Sequence, residues 1–593
     1  MRIKSLFFST ALIGAGLPAM LYGSIVVYEI PAISSIRHLP DRISPEAQRA
    51  GVLRIIATPG EFEPASFLVE AKADIEKFEI KTSALKGESG ATIPADAINV
   101  RVVKAWYQAG TAWHSYFGDP TRRELVPELL LHDDSLVKVD REKQENSLRV
   151  GDAYQWISYP AEKAPDGYFN YLTEPVADAP KLLPVAIPQG ENRQFLVTVK
   201  VPDDAKAEIY SGYLEFAENG KPAGNLKLQV KVLPFKLPTP MTYYNLENEY
   251  LVTIYATDVL DAGRRRNLEP EKTQALQKRI YRNLLDHNVR NIKAVMDINN
   301  RPDRDQARED VRTELRLMKE AGAPMKPLLA AGWVFPSPGD DKREDRAERF
   351  RERIDDYIKT VKGEVGHDDI YLSTWDEAGE ARVKVFRELA EHTQEQDMKV
   401  WMTTHEGRHF DLAGYAIDLA NHGGWPDREK AARWHAIDSK IASYAGPHTG
   451  PENPDVFRRW EGLARYKENY DGSFNYKYFD QLHTSNAARN KQNVWNDFLR
   501  KEFRSFCMVY PTAEGMIDTI AWEGFREGID DVRYATLLKQ EAQKAIESGN
   551  ATARREAKKA LMWLELLDAK TADLAATRQE IIEYILKIQK ANS

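Results

Sequence analysis

Cysteine is almost missing from this chain. Cys507 is the single one, so no intramolecular disulfide can form. It sits in the apolar run Phe506-Cys507-Met508-Val509-Tyr510 and reads as buried filler rather than a nucleophile. The 12 histidines are scattered, with no Cys/His cluster. His405 and His409 stand four apart, but in an expected loop rather than on a helix, so no metal is expected. No G-x-S-x-G elbow, no P-loop and no glycine-rich dinucleotide fingerprint occurs, which argues against the usual serine hydrolases, nucleotide hydrolases and Rossmann dehydrogenases. No organic cofactor is expected. Positive charge is not in excess either: Lys+Arg 82 against Asp+Glu 90 gives a formal net charge of -8. That balance offers no basic field to nucleic acid and no polybasic patch to a membrane. Past the N-terminus no apolar run is long enough to span a bilayer.

What is present is a long chain of 593 residues with 42% hydrophobic residues, enough for more than one core. Residues 1–24 read as an export signal: Arg2 and Lys4, then an uncharged stretch from Leu6 to Tyr22. A retained anchor is the alternative. Export places the protein in a periplasm, at the cell surface or outside the cell, with no stable membrane association after cleavage. Residues 25–235 carry short strands separated by Pro, Gly and Asp, among them Ser66–Glu70, Asn99–Val103, Gln194–Val199 and Leu228–Val232, which predicts an antiparallel β-sandwich. Residues 236–241, Pro-rich, read as a linker.

Residues 242–545 alternate strands with helices. Leu276, Ile280 and Leu284 line a helix opened by Pro270, and Val311, Leu315 and Met318 line another that stops near Gly322. Strands are expected at Asn291–Ile298, Pro327–Ala331, Lys399–Thr404, Lys440–Tyr444, Ser473–Tyr478 and Phe506–Tyr510. Seven or eight such units predict a (β/α)8-like barrel. Residues 546–593 read as a helical extension, striped by Leu561, Leu564 and Leu567 and by Ile581, Ile582, Ile585 and Ile588.

The most informative stretch is Tyr371-Leu372-Ser373-Thr374-Trp375-Asp376-Glu377-Ala378-Gly379. A strand ends in two adjacent acids, and Val383, Phe386, Leu389 and Ala390 then mark a helix from about Glu380. In α/β sheets, chemistry sits where a strand's carboxyl end hands over to its loop. Two acids beside a Trp suggest acid catalysis on a sugar; the plainer reading is that Asp376 caps the helix and Glu377 lies in its first turn. Trp333, Trp375, Trp425, His405 and Tyr444 fall at or just after expected strand ends, where rings can cover the C–H faces of a sugar, so they are the expected substrate-binding set.

These segments resemble glycoside hydrolase family 123 and the wider group sharing its catalytic domain, the domain of unknown function numbered 4091. The likeness spans about residues 50 to 540. It rests on Ala57–Pro64, Ala105–Gln108, Leu125–Asp134, Trp375-Asp376-Glu377, Glu452–Arg458, Gly462-Leu463, Tyr470–Gly472 and Trp522–Asp531. The resemblance implies a sandwich followed by a barrel, and a retaining exo-β-N-acetylhexosaminidase that acts on β-linked N-acetylgalactosamine. Asp376 and Glu377 match the family's acid pair. Ala378, where Pro often follows the pair, and Ala521, where a basic residue is common, depart from the pattern and bear on sugar specificity. The expected partner is a glycan. A glycosidase for another sugar would use a protein nucleophile, for which Glu406, Glu514 and Glu523 are the candidates; a non-catalytic carbohydrate-binding component of a glycan-uptake system is the third possibility.

Overall fold

The computed structural model describes residues 23–592 except 109–121, 161–162, 164–173, 257–258, 265–266, 296–302, 332–345, 405–407, 448–452, 480–492 and 497–506. The expected export signal therefore lies outside the described residues, apart from its last two. Two large sheets form the N-terminal part, with a three-stranded one of Val137–Asp140, Glu145–Val150 and Ala153–Trp156 beside them. One runs in the order Gln48–Arg49, Ile25–Ile30, Phe62–Ala71, Asn192–Lys200, Ile98–Gln108, Glu124–Leu131, antiparallel throughout. The other contains Val185–Ile187, Ile75–Thr82, Ile209–Glu218, Lys221–Val232 and Val52–Ala57, antiparallel except for its last pair. Across the sheets, Phe67 meets Phe216 with ring centroids 6.0 Å apart and Phe195 meets Phe78 at 5.8 Å. Alternate residues of each strand supply those rings, which is how a period-two pattern becomes a shared core. The four strands expected in this part are all found.

Eight parallel strands follow: β1 (Leu251–Ile254), β2 (Lys293–Val295), β3 (Leu328–Ala331), β4 (Ile370–Asp376), β5 (Lys399–Thr404), β6 (Leu419–Gly423), β7 (Lys440–Ala445) and β8 (Gly472–Asn475). They pair in the order β1-β8-β7-β6-β5-β4-β3-β2. Asn291 links the two ends, its N–H donating to Val252 O at 3.0 Å and its Oδ1 accepting from Val252 N at 2.7 Å. The barrel is nearly closed. Leu251, Leu329, Tyr371, Trp401, Leu419, Ala442 and Phe474 form one buried cluster drawn from seven of the strands, the filled interior such a barrel needs.

Helices pack outside it. Pro270–Asp286 buries Leu276, Ile280 and Leu284; Arg304–Ala321 starts on the Asp303 cap and ends at Gly322 with φ 95°. Glu380–Gln394 buries Val383, Phe386, Leu389 and Ala390. Burying a Phe or Leu is worth about 1.5–3 kcal/mol each, which fixes the helix against its strand.

Two barrel strands differ from expectation. Of the run expected at Phe506–Tyr510, Phe506 lies outside the described residues and the rest does not join the barrel; Val509–Pro511 pairs antiparallel with Met516–Asp518 in a separate hairpin. The places are taken by β1 and by β6, whose sequence Leu-Ala-Asn-His-Gly is too polar to announce a buried strand. Cys507 is buried, as expected.

The chain ends in helices Ile520–Glu547, Ala551–Leu566 and Leu574–Asn592. The first runs against helix Pro454–Glu461 so closely that a Cβ on Gly524 would lie 2.3 Å from Pro454 O, and one on Gly528 2.5 Å from Arg458 O. Two glycines one turn apart make that contact possible. No helix among the described residues is long and apolar enough to cross a membrane.

Candidate functional site

Strand β4 is irregular at its end. Ser373 pairs with Trp401, yet Asp376, three residues on, pairs with Thr403, only two on. One extra residue, a β-bulge, is accommodated between them. Strict alternation would have put Asp376 on the opposite face from Ser373; the bulge returns it to the face shared with Trp401 and Thr403, the barrel interior. Glu377 then adopts φ 43°, in the left-handed region that costs a residue with a Cβ about 1–3 kcal/mol. The two departures turn neighbouring acids toward one place.

That place is defined by two tyrosines. Tyr444, at the end of β7, donates its hydroxyl to Glu377 Oε1. Its ionisation is pushed far up, first by burial, then by the Glu377 bond and charge and by the Asp376 charge. Tyr255, just past β1, is pushed up by burial and then by Asp376. Its hydroxyl is held by Asn421 Nδ2 at 2.9 Å and lies 3.2 Å from Thr403 Oγ1. Both tyrosines therefore stay neutral donors beside two exposed carboxylates at the carboxyl ends of the strands.

The plainer reading of the pair fails on geometry. The cap of helix Glu380–Gln394 is Gly379, so neither acid stands at the cap position or in the first turn. Instead the connecting loop is tied down by His409, whose Nε2 lies 2.8 Å from Ala378 O and so donates to it. Sequence reading weighed His409 only as a metal ligand in an expected loop, yet it lies on a helix, and His405-Glu406-Gly407-Arg408-His409 spells the zinc pattern H-E-x-x-H. That chemistry needs both imidazoles on one helical face; His409 lies on helix Arg408–Ala413 and bonds the Ala378 carbonyl.

Of the expected substrate-binding residues, Tyr444 is brought onto the acid pair. Trp425 follows β6 and is 37% exposed, its ring 4.5 Å from that of Trp460. It stands close to the β7 end, because a Cβ on Gly446 would lie 3.1 Å from Trp425 Cα. Gly423, nearby, is where a Cβ would fall 2.4 Å from Tyr444 Oη, so the bare glycine leaves room for that hydroxyl. Trp333, His405 and the side chain of Trp375 lie outside the described residues, as does Glu406.

The other acids proposed as nucleophiles sit elsewhere. Glu514 is exposed on the turn of the 509–518 hairpin. Glu523 is fully buried between Arg101 and Arg526. Burial would raise its carboxyl, but the two guanidiniums prevail and hold it at about 2. His287, Asp518 and Glu523 also bring ligand atoms within 4.8 Å of one another. Arg101 already binds both carboxylates there, so a cation's place is taken by guanidinium.

Lys293 was not singled out from sequence. It lies on β2 in register with Leu329 of the interior cluster, and its Nζ is 4.2 Å from the Tyr255 ring centroid and 5.1 Å from that of Trp401. A lysine inside a strand expected to be buried was the available signal.

In fold the chain is similar to a family 123 glycoside hydrolase from Clostridium perfringens, described for glycolipid glycan hydrolysis, with a TM-score of 0.62 and 12% identity over 96% of this chain and 98% of that one. The sandwich-then-barrel architecture expected from the resemblance is thus borne out. A homocysteine methyltransferase, MmuM, from Escherichia coli (TM-score 0.27, 13% identity, 41% of this chain and 94% of that one) and a Bacteroides ovatus GH5 xyloglucanase (0.25, 8%, 80% and 98%) are too distant in shape to carry weight. No family model matches the chain, and no curated protein does.

Proposed function

We propose that this chain is a glycoside hydrolase, and within that class a retaining exo-β-N-acetylhexosaminidase that acts on β-linked N-acetylgalactosamine at the end of a glycan. The observation that carries the reading is the convergence of Asp376 and Glu377 on Tyr444 and Tyr255 at the barrel mouth. The likeness in fold to a glycolipid-glycan hydrolase is consistent with it.

Ordinary retaining glycosidases hold two carboxyls about 5–5.5 Å apart on separate sides of the anomeric carbon. Adjacent residues fit a different division of labour. The sugar's own acetamido oxygen attacks the anomeric carbon and the glycosidic C–O bond breaks, giving a cyclic oxazolinium. Asp376 accepts the acetamido N–H and stabilises the positive charge that grows there. Glu377 gives its proton to the departing oxygen, then takes one from the water that opens the ring. Tyr444, bonded to Glu377, fixes that carboxyl's direction, and Trp425 offers a ring face at the rim. The galacto preference comes from the resemblance. Residues 1–24 export the enzyme, so the substrate is met outside the cytoplasm.

The test compares aryl glycosides that differ only at carbon 2. An acetamido sugar should be cleaved about 100-fold or more faster than its 2-hydroxy counterpart, since the internal nucleophile supplies the effective concentration. Equal rates would sink substrate assistance and favour a protein nucleophile. Retention of sugar without release of aryl alcohol from any member of the panel would make the chain a binding protein.

A further inference from the structure

We propose that Lys293 is the positioning residue of the acid pair: its ammonium, seated inside the barrel below Asp376, fixes Asp376 as the standing anion and leaves Glu377 to carry the proton that moves. The inference rests on the glycosidase reading above and explains how two neighbouring acids come to hold unequal roles.

The argument begins with placement. β2 pairs with β3 so that Lys293 is level with Leu329, and β3 pairs with β4 so that Leu329 is level with Tyr371; both partners belong to the interior cluster. Counted on the partner strand, where Tyr371 is level with Lys399 and Asp376 with Thr403, the lysine stem starts four positions below Asp376 and reaches upward to Tyr255, whose hydroxyl lies 3.2 Å from Thr403 Oγ1. Its ammonium is held on the faces of Tyr255 and Trp401, at 4.2 and 5.1 Å from their ring centroids. The ring quadrupoles attract the ammonium and hold it there. Tyr255 is itself fixed by Asn421 Nδ2, so the platform under the ammonium does not swing.

The charges around Lys293 act in opposite directions. Burial lowers its pKa to about 8, Asp376 works against that, and Lys477 adds to it. It remains a cation at neutral pH. Lys477, just past β8, has its own Nζ 5.6 Å from the Tyr476 ring. Asp376 acts through its charge on Lys293 and on the hydroxyls of Tyr255 and Tyr444, and Glu377 is its neighbour in the chain. Tyr444 bonds Glu377, while Lys293 supplies attraction to Asp376. Different surroundings for two like groups are what separates a stabilising anion from a proton donor.

The experiment measures pH–rate profiles of Lys293→Met and Lys293→Arg on an activated aryl N-acetylhexosaminide, with melting temperatures alongside. Loss of a nearby cation makes Asp376 harder to ionise, so Lys293→Met should move the acid limb of kcat/KM up by about one pH unit. It should also lower kcat about tenfold with KM little changed, because the lost help is to charge in the transition state. Lys293→Arg should keep the limb where the wild type has it. An unmoved limb in the Met variant, or equal shifts in both, overturns the proposal. Should the Met variant not fold, the wild type decides. Its basic limb, near pH 8, must shift with temperature as an ammonium ionisation does, and a limb insensitive to temperature overturns it. If Glu377→Gln keeps full activity on poor leaving groups, the glycosidase reading itself falls; if it loses that activity while Lys293→Met leaves the acid limb in place, only the role of Lys293 falls.

Discussion

Two groups of acids in this molecule live by opposite rules. At the barrel mouth, Asp376 and Glu377 are exposed and adjacent, and Tyr444 donates its hydroxyl to Glu377. At the seam between the sandwich and the long helix, the buried Glu527 and Asp531 and the half-buried Glu63 gather around Arg578. Arg458 adds a second pair of bonds to Asp531, at 2.8 and 3.1 Å, and Tyr534 donates to Glu61 at 2.9 Å. Buried acids surrounded by fixed guanidiniums cannot exchange partners with a substrate. Exposed ones with neutral donors can. Acid content therefore says little about reactivity, and the identity of the neighbours says much.

The contrast can be broken most sharply at the mouth. Glu377→Gln should lower kcat on poor leaving groups by about 10²–10⁴-fold while the melting temperature holds, because the loss is of proton transfer and not of packing. A slight and equal loss on good and poor leaving groups would remove Glu377 from the acid role. At the seam the signature reverses. Arg578→Met strands buried carboxylates and should cost about 3–5 kcal/mol in denaturant unfolding, with the activity of the remaining folded enzyme little altered.

A smaller effect lies between chemistry and packing. Gly423→Ala puts a methyl 2.4 Å from Tyr444 Oη and should displace the hydroxyl from Glu377. Displacements of that size cost about 100-fold in rate. Tyr444→Phe, which removes the hydroxyl without a clash, should reproduce the kinetic loss without the destabilisation; if the alanine variant alone loses activity, packing is the cause.

The pH dependence of stability sharpens the comparison last. Burial raises the Glu61 carboxyl to about 7, helped by the charge of Asp530 and opposed by Arg578 and the Thr58 N–H bond. An acid raised above its unfolded value of about 4.3 favours the folded state at low pH, where both states are protonated or the folded one still is. That contribution is lost as pH climbs from about 4.3 toward 7, at about 1.4 kcal/mol per unit. Glu61→Gln should flatten this decline in unfolding experiments between those limits. An unchanged slope would mean the carboxyl is ionised in the fold.

Much of the architecture was legible because the apolar spacing was regular. Val383, Phe386, Leu389 and Ala390 marked their helix to within a residue, and Lys399–Thr404 its strand. What escaped notice did so for chemical reasons. β6 turns Asn421 toward Tyr255 and buries His422, so its polar letters hide a core strand. Cys507–Tyr510 is apolar because it packs under the sandwich seam, where Tyr510 meets Trp106 with ring centroids 5.2 Å apart. Several segments that carry the family resemblance also have structural duties: Gly524 and Gly528 admit a helix backbone, and Asp471 accepts Ile441 N–H. The acid pair was visible from its position at a strand end. The bulge before it was not, since register depends on the partner strand, and Lys293 was passed over as one charge in an apolar run.

The bulge in β4 means that this chemistry depends on counting. Held as regular strand without the bulge, the same sequence would aim Asp376 at the surrounding helices and away from the barrel lumen. Shortened by one residue between Ser373 and Asp376, it would keep Asp376 level with Thr403 on the lumen side with no bulge at all. Any comparison of this strand with its counterparts must therefore align the inserted residue before it aligns the acids.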